Sequence, residues 1–309
     1  MISVTGLFSG RDLQIFTKGG EFFLPQSDLD PITPSNVVIQ GATKRGSKEG
    51  IKPVGAESGT MFIQRSGKSL REFLFSDVEL SYISNNISLL SSHLLVTPID
   101  LALRKATSTD DGDLLLIVNT DGSLATDSIL RGQNVIAPSL SSTDGEFINV
   151  AVDVDTVYFV IKRTVNSNTV YYVETWNDDN TTDSSILFIG GTKPSSTTLS
   201  GLSHLQGKTV KVIADDAMQN DKVVNGSGQI TLDAVPTTYV EVGLNYTPTI
   251  KTMPVELKLP SGNTVGQKKR IVEASALLYL SQNLTLDAKD FAFTAASFFT
   301  GKKRRKPML

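Results

Sequence analysis

Four stretches of this chain read as β-hairpins, and their turns recur at a nearly constant interval. GRDLQIFTKGGEFFLP (10–25) turns at Gly19, GTMFIQRSGKSLREF (59–73) at Gly67, GDLLLIVNTDGSLATD (112–127) at Asp121 and Gly122, and TVYFVIKRTVNSNTVYYVETW (156–176) near Ser167. The turns fall 48, 55 and 45 residues apart, close to the roughly 40–50 residues of a propeller blade. A chain that repeats one hairpin at this interval is constrained to fold as similar sheets in succession, each burying its faces against its neighbours. Between the hairpins, Val37-Val38-Ile39 and FINVAV (147–152) read as further strands that complete four-stranded units. Most runs are short, β-branched or aromatic, and bounded by Gly, Asp, Asn or Ser. The expected class is all-β and mainly antiparallel, a propeller-like domain over 1–190; a two-sheet sandwich with evenly spaced hairpins is the alternative.

One segment departs from this pattern. Ile87, Leu90 and Leu94 have helical spacing after Asn85 and Asn86, either of which suits an N-cap, and Pro98 stops continuation, so one short helix is expected near 86–95. Ser-, Thr- and Gly-rich sequence around Ile186 to Ile189 marks the way out of the first domain, with a linker at 191–201. A second β domain is expected over 202–300. Val210 and Val212, then Val240, Val242 and Leu244, alternate as strands with one buried face, and an Asn225-Gly226 turn lies between them. Residues 268–286 read as a longer strand pair, and 301–309 as a basic tail.

The Gly67-Lys68-Ser69 triplet has the ending of a nucleotide phosphate loop. Such a loop needs a glycine five residues before the Gly-Lys pair and a helix after it, so that consecutive N–H groups surround the phosphates. Position 62 is Phe, and only Arg65 and Ser66 separate the apolar run from Gly67. A second near match, GATKRGSK (41–48), has Ser where the lysine belongs. Gly67 therefore reads as a turn glycine.

Composition narrows the chemistry further. There are no cysteines and two histidines, His93 and His204, neither in a GxSxG or HExxH motif. The clusters Asp110-Asp111-Asp113, Asp153 with Asp155, and Asp178-Asp179 lack the alternating frame and distal Glu of a calcium loop, so they read as solvated turns. No catalysis, metal or cofactor is expected. A propeller-type carbohydrate-binding or glycoside-cleaving protein is the alternative class, since carboxylates distant in sequence can meet across a funnel. No run reaches the length of a membrane span, and the first residues lack the pattern of a signal peptide, so the product is expected to stay in the cytoplasm where it is made. The net charge of −3 falls to −8 without Lys302, Lys303, Arg304, Arg305 and Lys306. That tail reads as a disordered solubilising end, or as a contact for nucleic-acid phosphates or an acidic partner surface.

Two blocks carry a resemblance. GIKPVGAESGTMFIQRSGKSLREFLF with DVELSYISNNISLLSSHLL resembles a segment of the tail nozzle, or tail tubular B, proteins of short-tailed phages. The pattern is carried by Phe62, Ile63, Gln64, Arg65, Gly67, Arg71 and Glu72, then Leu89, His93 and Leu94. GLSHLQGKTVKVIADD, VVNGSGQITL and VEVGLNYTPTIKTMPVEL resemble a later part of the same proteins, so the likeness spans 6–260. It implies a structural virion subunit built around a propeller-like domain, a homo-oligomeric and hexameric tube that passes DNA without reading its sequence, contacts with neighbouring tail subunits, and assembly in the host cytoplasm. It supplies no catalytic residue. Family members are longer, with more blades ahead of the first block, so either the gene is split or shortened, or a partner is expected to supply the missing blades.

Overall fold

The computed structural model describes residues 3–25, 31–57, 59–107, 112–133 and 135–251, with short stretches at 258–259, 262–264, 268, 283–286 and 289–292. The basic tail lies outside the described residues. So does most of the strand pair expected over 268–286, of which Asn283–Leu286 is described, paired with Lys289–Ala292.

The all-β, antiparallel expectation holds. The first sheet runs β1 (Val4–Ser9), β2 (Leu13–Thr17), β3 (Glu21–Leu24), β4 (Gln40–Thr43), and the second β5 (Val54–Ala56), β6 (Gly59–Ile63), β7 (Leu70–Ser76), β8 (Ser81–Asn86). The third is β9 (Pro98–Arg104), β10 (Asp113–Asn119), β11 (Leu124–Leu130), β12 (Val135–Ser141). The fourth has three strands, β13 (Glu146–Asp153), β14 (Thr156–Val165) and β15 (Asn168–Thr175). Each sheet is a meander in sequence order. All four expected hairpins are the second and third strands of their sheets, which is why their turns keep a period.

Turn chemistry is local. Val165 pairs with Asn168 across Asn166 and Ser167, which both have positive φ, 48° and 65°, as a tight turn between right-twisted strands requires. At the third hairpin, Asp121 Oδ1 accepts from the Ser123 amide and hydroxyl at 3.1 and 2.6 Å.

Consecutive sheets pack face to face through three separate cores. Phe16 and Phe23 of the first sheet meet Phe62, Phe73 and Tyr82 of the second. Phe73 stacks on Tyr82 at 4.6 Å, and Phe16 lies 5.1 Å from Phe62. Met61, Ile63 and Leu70 face Leu101, Leu115, Ile117 and Ile129 of the third sheet. Leu116, Val118 and Leu124 then face Phe147, Val150, Phe159 and Ile161 of the fourth. A strand buried on both faces needs apolar residues at every position, and Leu115 to Val118 are all buried.

A fifth sheet follows, ordered β16 (Asp183–Ile189), β22 (Tyr239–Leu244), β18 (Thr209–Ala214), β19 (Ala217–Met218), with β20 (Lys222–Val223) also on β18. Beside it β17 (Thr198–Leu199) pairs with β21 (Ile230–Thr231). The alternating Val210, Val212, Val240, Val242 and Leu244 form its core with Leu202 and Leu205, as their spacing predicts.

Four local readings need correction. The helix near 86–95 is a single 3-10 turn, Ser92–Leu94, because Asn85 and Asn86 pair with Glu72 and Arg71 as the end of β8 and the Ile87 amide donates to Leu70. Leu90 is 93% exposed, so no apolar helical stripe exists. Val37, Val38 and Ile39 are exposed and precede the strand, which starts at Gln40. Ile186 to Ile189 do not lead out of the first domain: they pair with Val242 to Tyr239, which places the change of sheet at 176–182 rather than at 191. The Asn225-Gly226 turn is a wider loop in which Asn225 Oδ1 accepts from Ser227 and Gln229, and the positive φ falls on Gly228.

Candidate functional site

The hairpin of β6 and β7 gathers most of the motif residues. The Gln64 amide donates to the Ser69 carbonyl at 2.9 Å and the Gly67 amide to Gln64 at 2.8 Å, which closes the turn with Gly67 at φ 69°. A strand follows it, with no helix to aim N–H groups at a phosphate, and Lys68 is exposed. Arg71 sits opposite Phe62 on the face towards the first sheet and is 9% exposed. Its Nε donates to Gln64 Oε1 at 2.7 Å and its Nη1 to the Ser84 carbonyl at 3.0 Å, so one guanidinium ties three strands or turns together. Burial lowers its pKa and the neighbouring Arg45 adds to this, while Glu21 opposes them. Glu21 is itself fully buried, and burial raises its pKa although it accepts from the Thr43 hydroxyl at 2.5 Å and the Arg45 amide at 3.2 Å.

Glu72 points the other way, opposite Met61, and is 3% exposed. A Cβ on Gly59 would lie 2.5 Å from Glu72 Oε1, so this carboxylate fits only against a glycine. Arg65 is exposed, with its amide donating to Gly46. His93 stands exposed on the separate 3-10 turn and Leu89 exposed in the turn before it, while Leu94 packs on the core between the second and third sheets. The structure thus brings Phe62, Gln64 and Arg71 together on one side of the hairpin, sets Glu72 on the other, and leaves His93 apart from both.

A second constellation lies where the fourth sheet meets the fifth. Arg163, 3% exposed, makes a two-pronged contact with Glu174, Nε to Oε1 at 2.5 Å and Nη2 to Oε2 at 2.7 Å. Its Nη1 donates to the Asp144 carbonyl at 2.9 Å, and Asp183 Oδ1 is 3.8 Å away. Burial opposes its charge, yet Glu174, Asp183 and Asp144 hold its pKa above the ordinary value. Asp183 accepts from the Thr143 hydroxyl at 2.8 and 2.9 Å and from the Asp144 amide at 3.2 Å, pinning the start of β16 to the loop between β12 and β13.

Over this network opens a cleft of about 700 Å³, lined by residues that include Phe159, Tyr172, Glu174, Trp176, Asn180, Asp183, Ser184, His204 and Tyr246. His204 Nε2 lies 3.1 Å from the Ser184 carbonyl, which only accepts, so that nitrogen carries the proton. Burial pushes the His204 pKa down. Trp176 Nε1 donates to Asp178 at 2.5 Å, and Asp178 pairs with Arg104 at 2.9 Å, so one member of an acidic pair read as solvated turn sequence anchors a side chain of the cleft. The Arg163 network escaped the sequence reading, yet a signal existed: Val157, Phe159 and Ile161 set an inward alternation whose next member is Arg163, a charge that must find a partner. Among the described residues no three His, Asp or Glu side chains form a metal-binding group.

No protein-family model matches the chain, and no curated protein matches it. No helix among the described residues is long and apolar enough to cross a membrane.

Proposed function

We propose that the chain is a structural subunit of a phage tail nozzle, without catalysis, that assembles with copies of itself and adjoining tail proteins into a tube for DNA in the virion. The observation that carries this reading is the exposed apolar residues on the outer faces of the first and fourth sheets, which on the fourth lie beside the Lys162–Glu146 ion pair. On the first sheet, Leu7 pairs with Ile15 on the face away from the second sheet and is 61% exposed. On the fourth, Tyr158, Tyr171 and Val173 line the face away from the third sheet and are 38, 63 and 73% exposed. Internal sheets bury such faces against a neighbour, so end faces of this kind suit a further blade or another subunit. The propeller arrangement belongs to this reading, as does the resemblance at Phe62, Gln64, Arg65, Gly67, Arg71 and Glu72.

Native mass spectrometry and negative-stain imaging of the purified chain, alone and with the products of adjacent genes, test it. A closed ring or tube is expected, and Tyr171→Asp with Val173→Asp should abolish it without changing the circular dichroism. A monomer at micromolar concentration that also ignores its neighbours' products would overturn the reading.

A further inference from the structure

Apart from Val173, the cleft between the fourth and fifth sheets shares none of the residues named for the assembly faces, and several independent features converge on it. Its volume, about 700 Å³, lies within the roughly 300–1,000 Å³ of small-molecule sites. Tyr172, Trp176 and Tyr246 line it, and Asn180, whose Nδ2 donates to Ser185 Oγ at 2.8 Å, and the exposed Ser203 add polar groups. The indole is held from behind, since its N–H is taken by Asp178, which is fixed in turn by Arg104.

The wall at β16 is irregular where it meets the cleft. The register with β22 breaks between Asp183 and Ile186, Ser184 takes φ 52°, and its buried hydroxyl has no hydrogen-bond partner. A strand bulge with a strained non-glycine residue is the sort of feature that collects at binding sites. His204 holds the bulge through the Ser184 carbonyl. Behind the lining residues Glu174 and Asp183, the buried Arg163 is engaged by both, so its charge is already met within the protein.

We propose that this cleft is a binding site for a neutral saccharide of two or three rings, lined by Trp176, Tyr172 and Tyr246 for its C–H faces and by Asn180 and the exposed Ser203 for its hydroxyl edges. A sugar presents an apolar face and a polar rim on the same rigid ring, which matches aromatic walls interleaved with amide and hydroxyl groups. A phosphorylated or sulfated ligand is disfavoured because the buried guanidinium is matched by two carboxylates. A peptide added along the open edge of β15 would draw on main-chain hydrogen bonds and leave the aromatic walls unused.

Trp176 is the sole tryptophan of the chain, so its emission reports on this cleft directly. The experiment titrates the full chain with maltotriose, cellotriose, mannotriose and triacetylchitotriose, with glucose 6-phosphate as a charged control, and follows tryptophan fluorescence alongside saturation-transfer NMR. At least one neutral probe should shift the emission saturably. Tyr246→Ala, at a side chain 52% exposed, and Asn180→Ala should each weaken that binding about tenfold, while Lys68→Ala at the exposed turn of the second sheet leaves it unchanged. Circular dichroism confirms that each variant is folded. The proposal is overturned if no neutral probe perturbs Trp176 at millimolar concentration, if only the phosphate does, or if both cleft variants bind like the unaltered chain.

Discussion

Leu115 and Leu116 are adjacent in sequence, and their side chains belong to different cores: Leu115 packs against the second sheet and Leu116 against the fourth. One strand therefore joins two interfaces. Replacing either by alanine should cost about 2–5 kcal/mol, since both are fully buried. Hydrogen exchange should separate them, with Leu115→Ala loosening the second and third sheets and Leu116→Ala the third and fourth. Identical exchange patterns in the two variants would contradict the division into separate cores.

Gly67 holds φ 69° inside a closed turn. Gly67→Val should destabilise the fold by about 1–3 kcal/mol, whereas Lys68→Ala should change stability by no more than about 0.5 kcal/mol. Urea denaturation measures both. Nucleotide binding that disappears in Lys68→Ala would restore the phosphate-loop reading.

Asp127 is 4% exposed and sits opposite Leu115, on the face towards the second sheet. Burial pushes its pKa up to about 6 from 3.8. The unfolded chain releases this proton at lower pH than the folded one, so stability falls as pH rises from about 4 to about 6, and the full penalty, about 3 kcal/mol, applies above that. Asp127→Asn should stabilise the protein at pH 7 by at least about 1 kcal/mol and flatten its stability between pH 4 and 6. An asparagine variant less stable at pH 7 would show that the carboxylate is favourably held.

Arg163 holds Glu174 through two short contacts in a nearly closed site. Arg163→Ala leaves that carboxylate partly buried and unmatched, with an expected loss of about 3 kcal/mol. Arg163→Lys should recover only part of it, because an ammonium cannot reproduce the planar fork. Full recovery by lysine, read from chemical denaturation, would reduce the contact to simple charge pairing.

Removing residues 302–309 takes away five clustered cations. If the chain has the proposed role in a tail, its assembly with an adjoining tail protein should weaken, more at low salt than at high salt, because exposed charge attraction is screened. Light scattering across ionic strengths measures this, and indifference at every salt concentration would exclude the tail from the interface.

The hairpins were legible in the sequence because turn chemistry is local. Gly67, the Asp121-Gly122 pair and the Asn166-Ser167 pair close their turns through their own φ values and short-range hydrogen bonds, and the even spacing of those turns announced repeated sheets. The alternation of Val210 with Val212 and of Val240 with Val242 likewise set a buried face within one strand. Contacts between distant residues were decided only in three dimensions. The run from Leu114 to Val118 carries no alternation, so nothing local says which residue faces which neighbouring sheet. Asn85 and Asn86 have the chemistry of a helix cap and became strand because β7 offers Glu72 and Arg71 as partners. Ile186 to Ile189 found their ladder 50 to 56 residues later, in β22. The cleft exists because β15 and β16 belong to different sheets, and pairing over such separations depends on burial and backbone hydrogen bonds that no short window of sequence contains.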